Sequence, residues 1–197
     1  LCKDDGREID EFDDEKAIHL ALHNGGEVIG YSRLLPTTAP HLLSHVYPQI
    51  MPCLDYPKGP QIYEWTRCVA EPDTVIAGLP GSHVLMTGVM EFCLVAGIEA
   101  LIVETHPKLV NLLLSTGWDV MPLAGPSSLG GSLVVPIYAK ASISGLLQHH
   151  DMYGVNGSVL DLSPDDISPL TGAKLQRLPV ADHVHVEEPE KRRINYG

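Results

Sequence analysis

Arg33 and Arg67 each lie in an apolar run that reads as a strand, residues 27–35 and 61–70. An arginine between apolar neighbours needs an anionic partner if it is buried, because an unpaired buried charge is strongly destabilising. The other reading is an ordinary charge on an edge strand. Partners are at hand. Glu64 stands three residues before Arg67, and Asp4, Asp5, Glu8, Asp10, Glu11, Asp13, Asp14 and Glu15 crowd the start of the chain. That run is either a solvated acidic loop or a source of fixed carboxylates that pair with the arginines. Glu64 is either a salt-bridge partner of Arg67 or a group that moves a proton.

The elements that must position these residues follow from periodicity. Residues 17–22 and 27–35 flank Asn24-Gly25-Gly26, a hairpin turn. A short helix over residues 41–50, capped by Thr37 and Thr38, follows the break at Pro36. After a proline-rich loop come a strand at 61–70, a helix at 82–97 ended by Gly97, and a strand at 100–104. A helix at 107–115, strands at 118–123 and 132–140 and a helix at 141–150 complete the order β-hairpin, β, α, β, α, β, β, α. That order implies an α/β fold with a mixed sheet and helices on its faces. Residues 1–150 read as one domain. Residues 151–197 are polar and weakly periodic and read as a mobile C-terminal extension.

Three blocks resemble the autoinducer (acyl-homoserine-lactone) synthase family: Gly6-Arg7-Glu8-Ile9-Asp10-Glu11-Phe12-Asp13, Arg33-Leu34-Leu35-Pro36-Thr37-Thr38-Ala39-Pro40-His41-Leu42-Leu43, and Tyr63-Glu64-Trp65-Thr66-Arg67. Gly117-Trp118 also falls where the family has such a pair. The resemblance covers roughly residues 6–140. It implies a GNAT-like αβα sandwich and an enzyme that moves an acyl chain from a thioester to the amine of S-adenosylmethionine (SAM), which is a substrate and not a cofactor. Lactonisation then releases methylthioadenosine, and the product serves quorum sensing.

The same resemblance raises Asp10 and Asp13 above the acids around them. It places them with Arg33 and Arg67 in an electrostatic cluster that helps bind SAM. It makes Glu64 the candidate base, because the attacking amine must be neutral. Beside Arg67 this carboxyl is expected to have a lowered pKa and to work through water. Strand alternation puts Glu64 and Arg67 on opposite faces, so a bulge is expected near this strand. Val46, Tyr47, Trp65, Met86, Leu101 and Val103 either line a slot for the acyl tail or simply pack the core. Members that make 3-oxo products carry a threonine where alignment on Gly117-Trp118 places Val103. An unsubstituted chain is therefore expected, although Thr105 lies only two residues on.

The donor is expected to be an acyl-acyl carrier protein or acyl-CoA. Two rivals stand beside this reading: a GNAT-type N-acyltransferase with another amine acceptor, and a non-catalytic ligand-binding relative. The family also has an arginine, a phenylalanine and a tryptophan before the first block. The chain starts at Leu1 and has no counterpart of them, so it is expected to fold but to enclose SAM poorly.

Bulk properties set limits. The 197 residues carry a net charge of −12, which does not suit a nucleic-acid backbone or an anionic membrane. No apolar run reaches the roughly eighteen residues of a membrane span, and a cytoplasmic location is expected. Cys2, Cys53, Cys68 and Cys93 show no metal-like spacing and read as reduced thiols. Gly78-Leu79-Pro80-Gly81-Ser82 reads as a turn and helix start, or as a cradle for a donor phosphate. His183-Val184-His185 reads as a solvated fragment, and no metal is expected.

Overall fold

The computed structural model describes residues 8–52 and 55–162. Strands β1 (Ile18–Asn24) and β2 (Glu27–Pro36) pair antiparallel across Gly25 and Gly26. Both glycines have positive φ, 59° and 91°, as a two-residue turn between twisted strands demands. β2 pairs antiparallel with β3 (Ile62–Ala70). The sheet continues through β6 (Ala100–Thr105), β9 (Ser132–Lys140) and β7 (Asp119–Pro122) in the order β1-β2-β3-β6-β9-β7. β8 (Ser127–Leu129) adds to β9, and β4 (Val75–Ile76) and β5 (Leu79–Pro80) form a separate small hairpin. Sequence periodicity missed these three short pieces.

β3 and β6 are the parallel pair, and they pair at three positions: Ile62↔Ala100, Tyr63↔Leu101 and Glu64↔Ile102. Beyond Glu64 the two strands part. One face of the sheet packs α2 (Gly81–Ala96), α3 (Val110–Ser115) and α4 (Ile143–Tyr153) around Leu34, Trp65, Met90, Leu101, Ile137 and Trp118. The other face carries α1 (Leu42–His45), with Leu43, Ile50, Tyr56 and Ile102 in a smaller core. The expected α/β architecture is thus present, with a mixed sheet and helices on its faces.

Several boundaries differ from expectation. The helix expected over residues 41–50 is only α1 followed by a 3-10 turn at Pro48–Ile50, because Pro48 cannot continue an α-helix. Its cap is not a threonine. His41 stands at the N-cap, and its amide donates to Ser44 Oγ at 3.1 Å. Thr37 Oγ1 is engaged elsewhere, donating to the Ile62 carbonyl at 2.7 Å. The segment expected as helix from 107 is a 3-10 turn at Pro107–Leu109 and then α3. α2 matches its expected span and ends on Gly97 at φ 71°.

α4 runs past residue 150, and the chain then folds back on α2. Glu91 of α2 accepts hydrogen bonds from Ser158 Oγ (2.6 Å) and from the amides of Val159 and Leu160 (3.0 Å each). Residues 163–197, with His183-Val184-His185, lie outside the described residues, as do Cys2, Cys53, Gly6 and Arg7.

Candidate active site

β3 carries an extra residue against β2: Tyr31 pairs with Val69, but Arg33 pairs with Thr66. Arg67 sits in this bulge with φ 54°, a left-handed conformation seldom taken by a long side chain. The bulge turns Arg67 to the side where Arg33 already points. Arg33 is fully buried, donating to Asp10 Oδ1 (2.8 Å), Asp13 Oδ1 (2.7 Å) and Thr66 Oγ1 (3.0 Å). Arg67 donates to Asp10 Oδ2 (2.8 Å), Asp13 Oδ2 (3.1 Å) and the Glu8 carbonyl (2.8 Å). The acidic segment closes on itself as well, since the Asp10 amide donates to Asp13 Oδ2 at 2.8 Å.

Burial pushes the Asp10 and Asp13 carboxyls up, but the Arg33 and backbone hydrogen bonds and the two guanidinium charges outweigh it. Both end below their ordinary value. The four expected cluster residues are therefore together, two cations against two anions. Their charges cancel, so the cluster's first effect is to lock residues 8–14 onto the sheet.

Glu64 does not pair with Arg67, contrary to expectation. It points to the α1 side of the sheet, fully buried, where Oε2 accepts from the Leu42 amide (2.7 Å) and Oε1 from the Leu43 amide (2.5 Å). The shift expected from a neighbouring arginine is reversed. Burial pushes Glu64 up to about 7, against the pull of the Leu43 and Leu42 amides, the Glu104 carboxyl and the Arg33 charge.

Glu104 is the residue that sequence reasoning missed. It lies two residues beyond Ile102, the partner of Glu64, and so shares the Glu64 face where β3 and β6 separate. Its carboxyl meets that of Glu64, and burial followed by the Glu64 charge raises it well above its ordinary value. The sequence did hold a signal, an ionisable side chain closing the apolar run Ala100-Leu101-Ile102-Val103.

Tyr56 completes the surroundings. His41 Nδ1 lies 2.8 Å from the Ala39 carbonyl and so carries the hydrogen, leaving Nε2 to accept from the Tyr56 hydroxyl at 2.8 Å. Burial and the two glutamates push the Tyr56 hydroxyl up to about 12.

The six expected acyl-contact residues divide between the faces. Trp65, Met86, Leu101 and Val103 share the α2-side core, while Tyr47 packs on the α1 side and Val46 is 40% exposed. They do not form one slot, because alternation along β3 and β6 sends their neighbours in opposite directions. An open cleft of about 1460 Å³ is lined by none of the six. It runs between β1, α2 and residues 153–162, past Leu20, Tyr63, Val89 and Phe92. The phosphate-cradle reading of residues 78–82 loses a donor, since the Gly81 amide is bonded to the Thr74 carbonyl at 2.7 Å. Among the described residues no group of three or more His, Cys, Asp or Glu side chains could hold a metal ion. None of their helices is long and apolar enough to cross a membrane.

Comparison with known proteins points to one family. The model of the autoinducer synthase family matches residues 2–142. The isovaleryl-homoserine lactone synthase of Bradyrhizobium diazoefficiens is 35% identical over 127 residues, 64% of this chain and 57% of that protein. The present chain thus spans little more than half of that relative. An acyl-homoserine-lactone synthase of Acinetobacter nosocomialis is 29% identical over 63% of this chain and 72% of its own length. Among solved structures, the CoA-dependent acyl-homoserine lactone synthase BjaI superimposes with a TM-score of 0.75 at 28% identity. The match covers 87% of this chain and 81% of BjaI, which was solved with MTA and with SAM and isopentyl-CoA. A sheet that parts at a buried glutamate, an aspartate–arginine lock from the same motifs and a family match over residues 2–142 converge: this chain belongs to the autoinducer synthase family.

Proposed function

We propose that this protein is an acyl-homoserine-lactone synthase that takes SAM as acceptor and an acyl-CoA as donor in the cytoplasm. The observation that carries the reading is Glu64: a buried carboxyl with a pKa near 7, at the point where β3 and β6 part. Such a group matches the task of taking a proton from an amine near neutral pH. The amine lone pair then forms the C–N bond to the thioester carbonyl carbon as the C–S bond breaks, and the thiolate leaves with a proton. Attack by the acceptor's carboxylate on its own γ-carbon closes the lactone and expels methylthioadenosine.

The Asp10–Asp13–Arg33–Arg67 lock supports the reading by fixing the acidic segment beside the site. The likeness to BjaI, a CoA-dependent synthase with a TM-score of 0.75, supports acyl-CoA as the donor. The test is incubation with SAM and a series of acyl-CoA or acyl-carrier-protein donors, with mass spectrometry of the product. A homoserine lactone formed from acyl-CoA is expected, and no lactone from either donor class overturns the reading. Glu64→Gln is expected to lower kcat by about 10²-fold, the usual scale for a general base, with little change in the KM for SAM. Near-normal turnover would reduce Glu64 to a structural role.

A further inference from the structure

Two carboxyls in contact inside a protein do not both ionise, and their surroundings decide which one carries the charge. Around this pair the donors are unevenly shared. From α1, the Leu42 and Leu43 amides both point at Glu64. From β2, Arg33 adds its charge on the same side. From the loop before β3, Tyr56 faces both glutamates, with its own hydroxyl spent on His41. From β9, the residue opposite Glu104 is Pro136, which has neither charge nor amide hydrogen. Glu104 Oε1 is shut off from solvent and has no hydrogen-bond partner among the described residues. An ionised carboxylate is not stable with a bare buried oxygen, whereas a neutral acid tolerates one.

We propose that Glu104 is a positioning residue for the base: it stays protonated and donates its O–H to Glu64, holding the negative charge on Glu64. Burial alone would neutralise Glu64. The O–H of Glu104 favours the charged form and keeps that carboxyl able to receive the amine proton near neutral pH. The residue acts through Glu64 and takes no proton from the substrate itself. This rests on the acyl transfer proposed above, but one of its tests does not need turnover.

The first measurement is the pH profile of kcat/KM for the wild type, Glu104→Gln and Glu104→Leu. Glutamine keeps an N–H donor toward Glu64 and should leave the acid limb near the wild-type position. Leucine offers none and should move that limb up by about one pH unit, a tenfold loss of kcat/KM on the acid side. Unchanged limbs in both variants, or equal shifts in both, overturn the proposal. The second measurement is infrared difference spectroscopy at least one pH unit above the Glu64 transition, where Glu64 is ionised. The wild type should show the carbonyl band of a protonated carboxylic acid and Glu104→Gln should lose it. A wild type without that band overturns the proposal even if Glu104→Leu does not fold. If no donor yields lactone while the band behaves as expected, the assigned reaction fails and the proton-bearing Glu104 stands.

Discussion

Arg33 and Arg67 reach the same two carboxylates from adjacent strands, so Asp10 and Asp13 each accept from both guanidiniums. The four side chains are coupled: removing one charge strands its opposite partly buried, with aspartates only 15% and 13% exposed. Asp13→Asn and Arg67→Gln should each destabilise by about 1–3 kcal/mol. The double variant should lose clearly less than the sum, and Asp13→Lys more than Asp13→Asn. Denaturant unfolding of the wild type and these four variants measures this, and additive losses would refute the coupling. These four residues were legible because motif order named them and physics demanded partners for a buried arginine. Glu64 was legible as a residue but not in its state, because its neighbours, two helix amides and Glu104, lie 21, 22 and 40 positions away in sequence and no local pattern joins them.

The join between β7 and α4 depends on two glycines that touch. A Cβ on Gly117 would lie 2.4 Å from the Gly145 carbonyl oxygen, and one on Gly145 would lie 2.1 Å from that of Gly117. Gly117 also holds φ 84°, where any other residue is strained. Gly117→Ala should therefore cost about 2–4 kcal/mol, read as a large drop in thermal midpoint, and Gly145→Ala a comparable amount. A midpoint within a degree or two of the wild type, which is under 1 kcal/mol in a domain of this size, would mean that the helix simply moves aside. Gly117 was visible in the sequence as part of Gly117-Trp118, and Gly145 was not, because its constraint comes from a segment 28 residues away. Long elements with one apolar face, such as α2 and β2, were legible to within a residue or two. The short α1 and β4–β5 were not, since tertiary packing and not periodicity sets their ends.

Stability of the whole molecule should depend on pH through His149 on one side and two glutamates, Glu104 and Glu64, of the opposite sign. His149, wedged between α2 and α4 against Tyr153 at 4.7 Å, is pushed down to about 4 by burial and by the neighbouring His83 and His150 charges. A lowered native pKa adds stability that is complete above the ordinary value of 6.5 and is lost as pH falls toward 4. Glu104 has the reverse sign. Its raised pKa adds stability that is complete below the ordinary value of 4.5 and is lost as pH rises toward its native value. Glu64 behaves likewise between 4.5 and about 7. Between about 4.5 and 6.5 these trends oppose each other, and above that window only the glutamate losses remain. Two glutamates outweigh one histidine, so the thermal midpoint of the wild type should fall gently across the window and more steeply just above it. Glu104→Gln removes the larger glutamate contribution but keeps the amide donor toward Glu64. Its midpoint should match the wild type near pH 5 and exceed it at pH 8, with the two curves separating steadily between. Parallel curves over that range would mean that Glu104 takes up no proton on folding, and the neutral partner assigned to Glu64 would be lost with it.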